Sequence, residues 1–257
     1  MADAHSPFHL NLEDVTAGYG GPPVITDVSL GVAKGAIAAV VGPNGAGKST
    51  VLKAAIGELS VTSGAITLGG ELITNLPIDA LARKGLGYVP QSRDVFDPLT
   101  VRENLEMGGY LLNGAEMRDR MAEVLSIFGI LERLMGRRAA LLSGGERKVT
   151  AIARVLMLRP SVLILDEPTA GLSPKLSSEL LTEHVRGLAN RGVAVLLVEQ
   201  KVVDALAIAD WAYVLANGRV RLSARASELV GRQDLTDVYL GMSESGGDGT
   251  IKAGAQA

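Results

Sequence analysis

Residues 42–50 have the types and spacing that bind phosphate. They match the pattern G-x-x-x-x-G-K-[ST] of a phosphate-binding loop, with Gly42, Pro43, Asn44, Gly45, Ala46, Gly47, Lys48, Ser49 and Thr50. The three glycines let successive backbone N–H groups point into one concavity, where they hold phosphate oxygens. In this pattern Lys48 reaches the β- and γ-phosphates, and the hydroxyl of Ser49 is a ligand of Mg²⁺. The stretch therefore predicts a site for a nucleotide phosphate chain and its magnesium ion.

Two adjacent carboxylates, Asp166 and Glu167, follow the apolar run 162–165. If this run is a buried parallel strand, the acids lie at its carboxyl end, where ligands of open α/β sheets collect. Asp166 can hold Mg²⁺ there, directly or through water, and Glu167 can accept a proton from water that attacks the γ-phosphate. The competing interpretation is that either acid caps a helix. Because a phosphate-binding loop precedes them, we predict the catalytic interpretation.

Three weaker candidates accompany these groups. Gln91 ends the predicted strand 86–91 at the ligand-binding edge of the sheet. Tyr19 lies in a Gly-rich turn, where it is either a solvent-facing turn residue or a ring that stacks on adenine. The segment 142–146, Leu-Ser-Gly-Gly-Glu, precedes a helix and forms either a capping box or a second anion site. A second phosphate-binding surface is hard to explain in a simple kinase or GTPase.

The elements that must position these residues follow from the hydrophobic pattern. Short apolar runs at 36–41, 162–165 and 193–198 predict strands buried on both faces of a parallel sheet. Residues 8–33 alternate apolar and polar positions, which predicts two or three antiparallel strands. Helical periodicity from 101 to about 141 predicts a small helical subdomain inserted into the α/β core.

Composition limits the classes of function. The 257 residues carry a formal charge of −3 and no basic run with interleaved aromatic residues, so we expect no nucleic-acid partner. The absence of cysteine excludes disulfides and thiolate metal sites. The apolar runs are far shorter than the ~18 residues that a membrane helix needs. Residues 1–10 lack a basic region followed by an apolar stretch, so no secretory signal is expected.

The order of these motifs along the chain is specific. The phosphate loop, Gln91, the Leu-Ser-Gly-Gly-Glu signature and the strand ending in Asp166 and Glu167 together resemble the ATP-binding subunit of ABC transporters, over residues 8–242. The resemblance implies an α/β fold, a P-loop NTPase core of the ABC-ATPase type with an N-terminal antiparallel β subdomain. It also implies that the helical subdomain occupies about 92–145, and we predict that the tail 243–257 is disordered.

The resemblance also implies a role for each residue in ATP hydrolysis. Tyr19 stacks on adenine, residues 42–50 bind the phosphates and Mg²⁺, and Gln91 contacts the metal and the attacking water. Asp166 holds the metal and Glu167 is the base. The signature residues Ser143, Gly144 and Gly145 meet the γ-phosphate that is held by an opposite subunit. Two ATP molecules are thus sandwiched between two subunits, and a monomer is nearly inactive.

Further segments narrow the resemblance to the branched-chain amino acid uptake group, and to the shorter of its two ATPase subunits. They lie at 93–105, 170–174, 198–200 and 239–241. The implied partners are a second ABC ATPase subunit in a heterodimer, integral membrane permease subunits and an extracytoplasmic substrate-binding protein. The implied location is peripheral, at the cytoplasmic face of the inner membrane.

Some positions depart from the wider family. Gln200 stands where the family has its switch histidine, and Ser173 stands where its D-loop has aspartate. Glutamine can hydrogen-bond a phosphate oxygen but cannot carry a proton as imidazolium does, so we expect slower hydrolysis. Gln91 also replaces the glutamate expected in the narrower group, and this leaves a urea or short-amide importer as an alternative.

Two other functions are compatible with an ABC-type ATPase. Soluble members that act on ribosomes usually carry two cassettes in one chain, and those that act on DNA carry a long coiled coil before the signature. This chain has one phosphate loop and no sustained heptads before residue 142. A regulatory subunit that does not hydrolyse ATP is the other alternative, and the presence of Lys48 and Glu167 argues against it.

Overall fold

Two sheets organise residues 8–230, the part of the chain that the computed structural model describes. The strands in chain order are β1 (Leu10–Ala17), β2 (Ile25–Val32), β3 (Ile37–Val41), β4 (Val61–Leu68), β5 (Glu71–Leu72), β6 (Leu86–Val89), β7 (Val162–Asp166), β8 (Ala194–Val198), β9 (Trp211–Ala216) and β10 (Arg219–Arg225). One sheet has the order β2-β1-β4-β5 and the other has the order β10-β9-β3-β8-β7-β6. The predicted tail 243–257 and the segment 239–241 lie outside the described residues.

The six-stranded sheet is parallel except at β10, which pairs antiparallel with β9 across a turn at Asn217 and Gly218. Every residue of β3 and β8 is buried, because the strands are covered on both faces. This confirms the parallel sheet that the apolar runs predict. Since parallel strands end at one edge, the residues that follow β3, β6, β7 and β8 lie along the same edge.

The antiparallel sheet takes only two strands from residues 8–33. Its third strand, β4, follows the first helix in the chain and pairs with β1 on the side opposite β2. Side chains of β1 and β2 pack with the first helix and with one face of the parallel sheet, in a buried group that includes Leu12, Ile25, Val40 and Leu52. The antiparallel sheet therefore lies against the element that follows the phosphate loop.

The helices are α1 (Lys48–Ala55), α2 (Ile78–Arg83), α3 (Val101–Gly108), α4 (Gly114–Ile127), α5 (Gly144–Leu156), α6 (Pro174–Glu179), α7 (Arg186–Asn190), α8 (Val202–Ile208) and α9 (Ala226–Leu229). Short 3₁₀ helices occupy Gly129–Leu134 and Ala139–Leu141, and a π-helical turn, Leu180–Val185, joins α6 to α7. Within residues 8–230, no helix is long and apolar enough to span a membrane.

All regular elements between β6 and β7 are helical, in agreement with the periodicity from residue 101 onward. Capping boxes at Thr100 and Asn113 start α3 and α4. Buried side chains of these helices, such as Leu105 and Phe128, join those of α5 and of the second face of the parallel sheet in one group. The predicted fold class is confirmed. The boundary at about 92–145 stays a prediction, because this buried group runs without a break from the sheet into the helices.

Candidate functional site

The phosphate-binding loop joins β3 to α1, the arrangement that its motif requires. Gly47 has φ of 103°, a conformation that L side chains rarely adopt, immediately before α1. A Cβ on Gly42 would lie 2.1 Å from the carbonyl oxygen of Leu215, so the backbone approach itself demands glycine. The side chain of Ser49 is exposed at the start of α1, whereas Thr50 is buried.

Lys48 is buried in the loop. Its Nζ donates to the carbonyl oxygens of Gly42 at 2.7 Å and Pro43 at 3.0 Å. Burial lowers the pKa of Lys48, while the nearby carboxylates of Glu167 and Asp166 raise it and offset part of the effect. An ammonium that is desolvated in this way gains from an anionic partner. The loop can therefore hold a polyphosphate through both its backbone N–H groups and this side chain.

The two predicted acids end β7 within reach of this loop. Tyr88 donates its hydroxyl to Asp166 Oδ2 at 3.4 Å. Burial raises the pKa of Asp166, and the charge of Glu167 raises it further. Neither acid caps a helix, because the next helix, α6, begins after Ser173, whose Oγ accepts from Leu176 N at 3.4 Å. The helix-capping alternative is therefore wrong.

Gln91 and Glu167 follow the neighbouring strands β6 and β7, and their side chains are in contact. The Nε2 of Gln91 donates to Glu167 Oε2 at 2.8 Å, although the two residues are 76 positions apart. Gln200, which follows β8, donates its Nε2 to Asn44 Oδ1 in the phosphate loop at 3.1 Å. The structure thus brings four separate predicted segments to one edge of the sheet. An amide next to a carboxylate in this position can orient water, and the carboxylate can accept its proton.

The signature residues lie elsewhere, at the beginning of α5. Ser143 is the helix N-cap: its N–H donates to Glu146 Oε2 at 2.9 Å and its Oγ accepts from Glu146 N at 3.4 Å. The capping box considered from the sequence is therefore present. Ser143 and Gly144 are exposed. Their surface is free to face a second molecule.

Tyr19 is exposed, as its Gly-rich turn predicts. Its ring is 58% exposed, and the Nζ of Lys53 on α1 lies 5.5 Å from the ring centroid. This places the ring on the same side of the protein as the helix that leaves the phosphate loop. An exposed aromatic face in this position can stack on a planar base.

One buried acid near the site, Glu199, is missing from the sequence-based candidates. Its Oε1 accepts from the backbone N of Thr169 at 3.0 Å and from the Thr169 hydroxyl at 2.8 Å. Burial raises the pKa of Glu199, and the hydrogen bonds from Thr169 offset part of that effect. Glu199 thereby fixes the segment after Glu167. Its position between a buried strand and Gln200 is the signal that could have identified it.

The donor set fits Mg²⁺. The Ser49 hydroxyl, the Gln91 amide oxygen and the Asp166 carboxylate are hard oxygen ligands of the kind this ion prefers. Within residues 8–230, no group of three or more His, Cys, Asp or Glu side chains could hold a metal by itself. A magnesium ion here would therefore keep water and phosphate oxygens among its ligands, as Mg²⁺ usually does.

Comparisons with known proteins agree with this geometry. The family described as ABC transporter matches residues 25–170. The high-affinity branched-chain amino acid transport ATP-binding protein BraG of Pseudomonas aeruginosa is 40% identical over 90% of this chain and 99% of its own length. A probable branched-chain amino acid transport ATP-binding protein, LivF of Archaeoglobus fulgidus, is 41% identical over 89% of this chain and 97% of its own length. LptB of Escherichia coli, from a lipopolysaccharide export system, is 34% identical over 90% of this chain and 97% of its own.

Solved structures of ATP-binding cassettes have a similar fold. The ATP-binding cassette MJ1267 in its ADP conformation has a TM-score of 0.83 and 26% identity, over 92% of this chain and 100% of that one. The dimeric cassette MJ0796 bound to ADP and phosphate has a TM-score of 0.73 and 26% identity, over 84% of this chain and 98% of that one. These similarities extend far beyond the phosphate loop.

Proposed function

Because this chain belongs to the ABC transporter family of ATP-hydrolysing subunits, we propose that it drives import of branched-chain amino acids through a membrane permease. The chain binds ATP and hydrolyses it to ADP and phosphate. The observation that carries the proposal is the contact of Gln91 with Glu167 beside the phosphate loop, in a chain 40% identical to an amino acid transport ATPase.

Each residue at the sheet edge has a proposed role in hydrolysis. The backbone of residues 42–50 holds the phosphates, and Lys48 exchanges its two carbonyl partners for phosphate oxygens. Ser49, Gln91 and Asp166 hold Mg²⁺, which when bound neutralises charge on the β- and γ-phosphates. Glu167, oriented by the Gln91 amide, accepts the proton of the attacking water. Tyr19 stacks on the adenine ring.

The exposed signature supports a composite site. We propose that Ser143, Gly144 and Gly145 meet the γ-phosphate held by a second ATPase subunit, and the dimeric state of the MJ0796 cassette supports this arrangement. Gln200 contacts the phosphate loop but cannot act as an imidazolium. A heterodimer in which the second subunit supplies a histidine would give two unequal sites.

A groove of about 980 Å³ is the proposed docking surface for the permease. It lies between the sheet edge at Tyr88 and the inserted helices, and its apolar side chains include Phe96, Met107 and Tyr110, which are 43%, 49% and 57% exposed. The Phe96 ring lies 4.8 Å from the guanidinium carbon of Arg154. Since Phe96 follows Gln91 by five residues, a segment docked here can respond to the nucleotide site.

The names of the relatives BraG and LivF support the proposed cargo. A permease that takes amino acids from an extracytoplasmic binding protein would place this chain at the cytoplasmic face of the membrane, held by its partners. One observation favours a second candidate, a urea or short-amide importer: Gln91 stands where the narrower group is expected to have glutamate.

Uptake measurements decide between these cargoes. Cells that lack this chain, complemented with the wild type, should regain uptake of labelled leucine, whereas Lys48→Ala should not restore it. Lys84→Gln, which removes a surface ion pair with Glu71, is the matched control and should restore uptake. Loss of urea uptake with unchanged leucine uptake would replace the amino acid proposal by the second candidate.

A further inference from the structure

The loop after Gln91 contains a buried acid, Asp94, whose side chain is only 2% exposed. Both of its oxygens are paired with cations of α5: Arg147 Nε donates to Oδ1 at 2.9 Å, and Lys148 Nζ donates to Oδ2 at 2.8 Å. We call Asp94, Arg147 and Lys148 the charged triad. It joins two segments that are more than 50 residues apart in sequence.

Lys148 also binds the backbone of Gln91 directly. Its Nζ donates to the backbone carbonyl oxygen of Gln91 at 2.7 Å, and its side chain is 7% exposed. One ammonium therefore fixes both the acid of the loop and the main chain of the residue whose side chain contacts Glu167. Arg147 adds a second pair with Asp97, three residues further along the loop.

Stability alone is a poor explanation for this arrangement. The cost of desolvating a buried ion pair cancels much of the attraction between its charges. Apolar side chains of similar size often stabilise the folded protein as well as the ion pair does, or better. A buried ion pair instead fixes the relative position of its two side chains, because each charge has few alternative partners once it is away from water. The location of the charged triad shows which two segments it positions. Lys148 follows Ser143 by five residues, about 7.5 Å along the axis of α5.

We propose that Asp94, Arg147 and Lys148 are positioning residues that make the loop after Gln91 and the signature end of α5 move as one body. The inference rests on the proposed roles of Gln91 and Ser143. If Gln91 serves one nucleotide and Ser143 serves the nucleotide of the opposite subunit, the triad links the two sites of the dimer. A displacement of Gln91 on ATP binding then shifts the signature, so that the second ATP binds and reacts in response to the first.

The test is a set of substitutions in the full-length chain, assayed in the complex purified from host membranes through a tag on this chain. Lys148→Gln should lower the single-turnover rate by about tenfold to a hundredfold, because small misplacements of catalytic groups have effects of this size. Affinity for a fluorescent ATP analogue should stay within about twofold of wild type. The Hill coefficient for ATP should fall towards one, and Lys148→Arg should restore most of the rate and cooperativity.

The double variant Asp94→Asn/Lys148→Gln tests whether the residues act as a unit. Its loss of rate should be smaller than the product of the losses in Asp94→Asn and Lys148→Gln, because the two single changes share the Asp94 to Lys148 link. If the two single losses of hydrolysis rate multiply in the double variant, the proposal that the residues act as a unit is wrong. If Lys148→Gln fails to fold, Arg147→Gln replaces it, since the Arg147 side chain is 29% exposed and its loss leaves the Asp94 to Lys148 pair intact. It should lower the Hill coefficient without a change in ATP affinity.

Two outcomes separate this inference from the proposed function. If Glu167→Gln is inactive while Lys148→Gln has the wild-type rate and cooperativity, the triad inference is overturned and the assigned roles stand. If Glu167→Gln hydrolyses ATP as fast as the wild type, the assigned roles themselves are wrong. Lys84→Gln, a lysine from an exposed ion pair, serves as the control and should match the wild type in rate, affinity and Hill coefficient.

Discussion

Replacement of Glu167 by glutamine should separate hydrolysis from ATP binding. Glutamine keeps the size of the side chain and can still contact Gln91, which lies 2.8 Å away, but it cannot accept a proton. Loss of a general base slows a reaction by about 10²-fold to 10⁴-fold, equivalent to about 3–5 kcal/mol in the barrier. The ground-state contacts of Lys48 and of the loop backbone are unchanged, so ATP affinity should stay close to that of the wild type.

Lys48→Ala should have the opposite pattern. The ammonium that now bonds the carbonyl oxygens of Gly42 and Pro43 would be lost, together with its charge-assisted bonds to the phosphates. Such bonds to charged groups contribute about 1.5–3 kcal/mol each, so ATP affinity should fall by about tenfold to a hundredfold.

The assay combines titration with a fluorescent ATP analogue and single-turnover hydrolysis of labelled ATP. In Glu167→Gln the rate should fall, the affinity should remain, and an ATP-bound dimer should accumulate. Lys84→Gln is the control for a general effect of substitution, because its lysine pairs with Glu71 on the surface. A wild-type rate in Glu167→Gln would refute the assignment of the base, and wild-type affinity in Lys48→Ala would refute the assignment of the phosphate contact.

Three further predictions follow from the same structure. Burial raises the pKa of Asp166, so the ionised carboxylate destabilises the nucleotide-free fold above that pKa. Asp166→Asn should therefore raise the Tm at pH 8, and this gain in Tm should vanish near pH 4, where the carboxyl is protonated. The same variant should lose hydrolysis. Gln200→His should raise the hydrolysis rate, measured at saturating ATP, by about tenfold or more, because imidazole can carry a proton at this position. An unchanged rate would refute the expectation that glutamine slows hydrolysis here. Arg93→Ala/Phe96→Ala should reduce uptake by about tenfold while basal ATPase activity stays within about twofold, because both residues belong to the segment that leads from Gln91 to the proposed docking groove rather than to the phosphate site. Equal losses of uptake and hydrolysis would refute the uncoupling.

Much of the catalytic edge could be predicted from the sequence because its signals are local. The phosphate loop needs glycine for its backbone geometry and a lysine at a set spacing, and both requirements are visible in nine residues. Apolar runs predict β3, β7 and β8, because strands buried on both faces are rich in apolar side chains. Asp166 and Glu167 then followed from their position at a strand end.

Tertiary structure decided which distant residues meet. Nothing in the local pattern shows that β4 joins β1 or that the Gln91 amide contacts Glu167, since pairing depends on strand order and register. The charged triad could not be predicted from the sequence for a related reason. Aspartate, arginine and lysine usually lie at the surface, so these residue types predict exposure. Only the packing of α5 against the loop after Gln91 buries Asp94 and Lys148 and pairs both cations with Asp94.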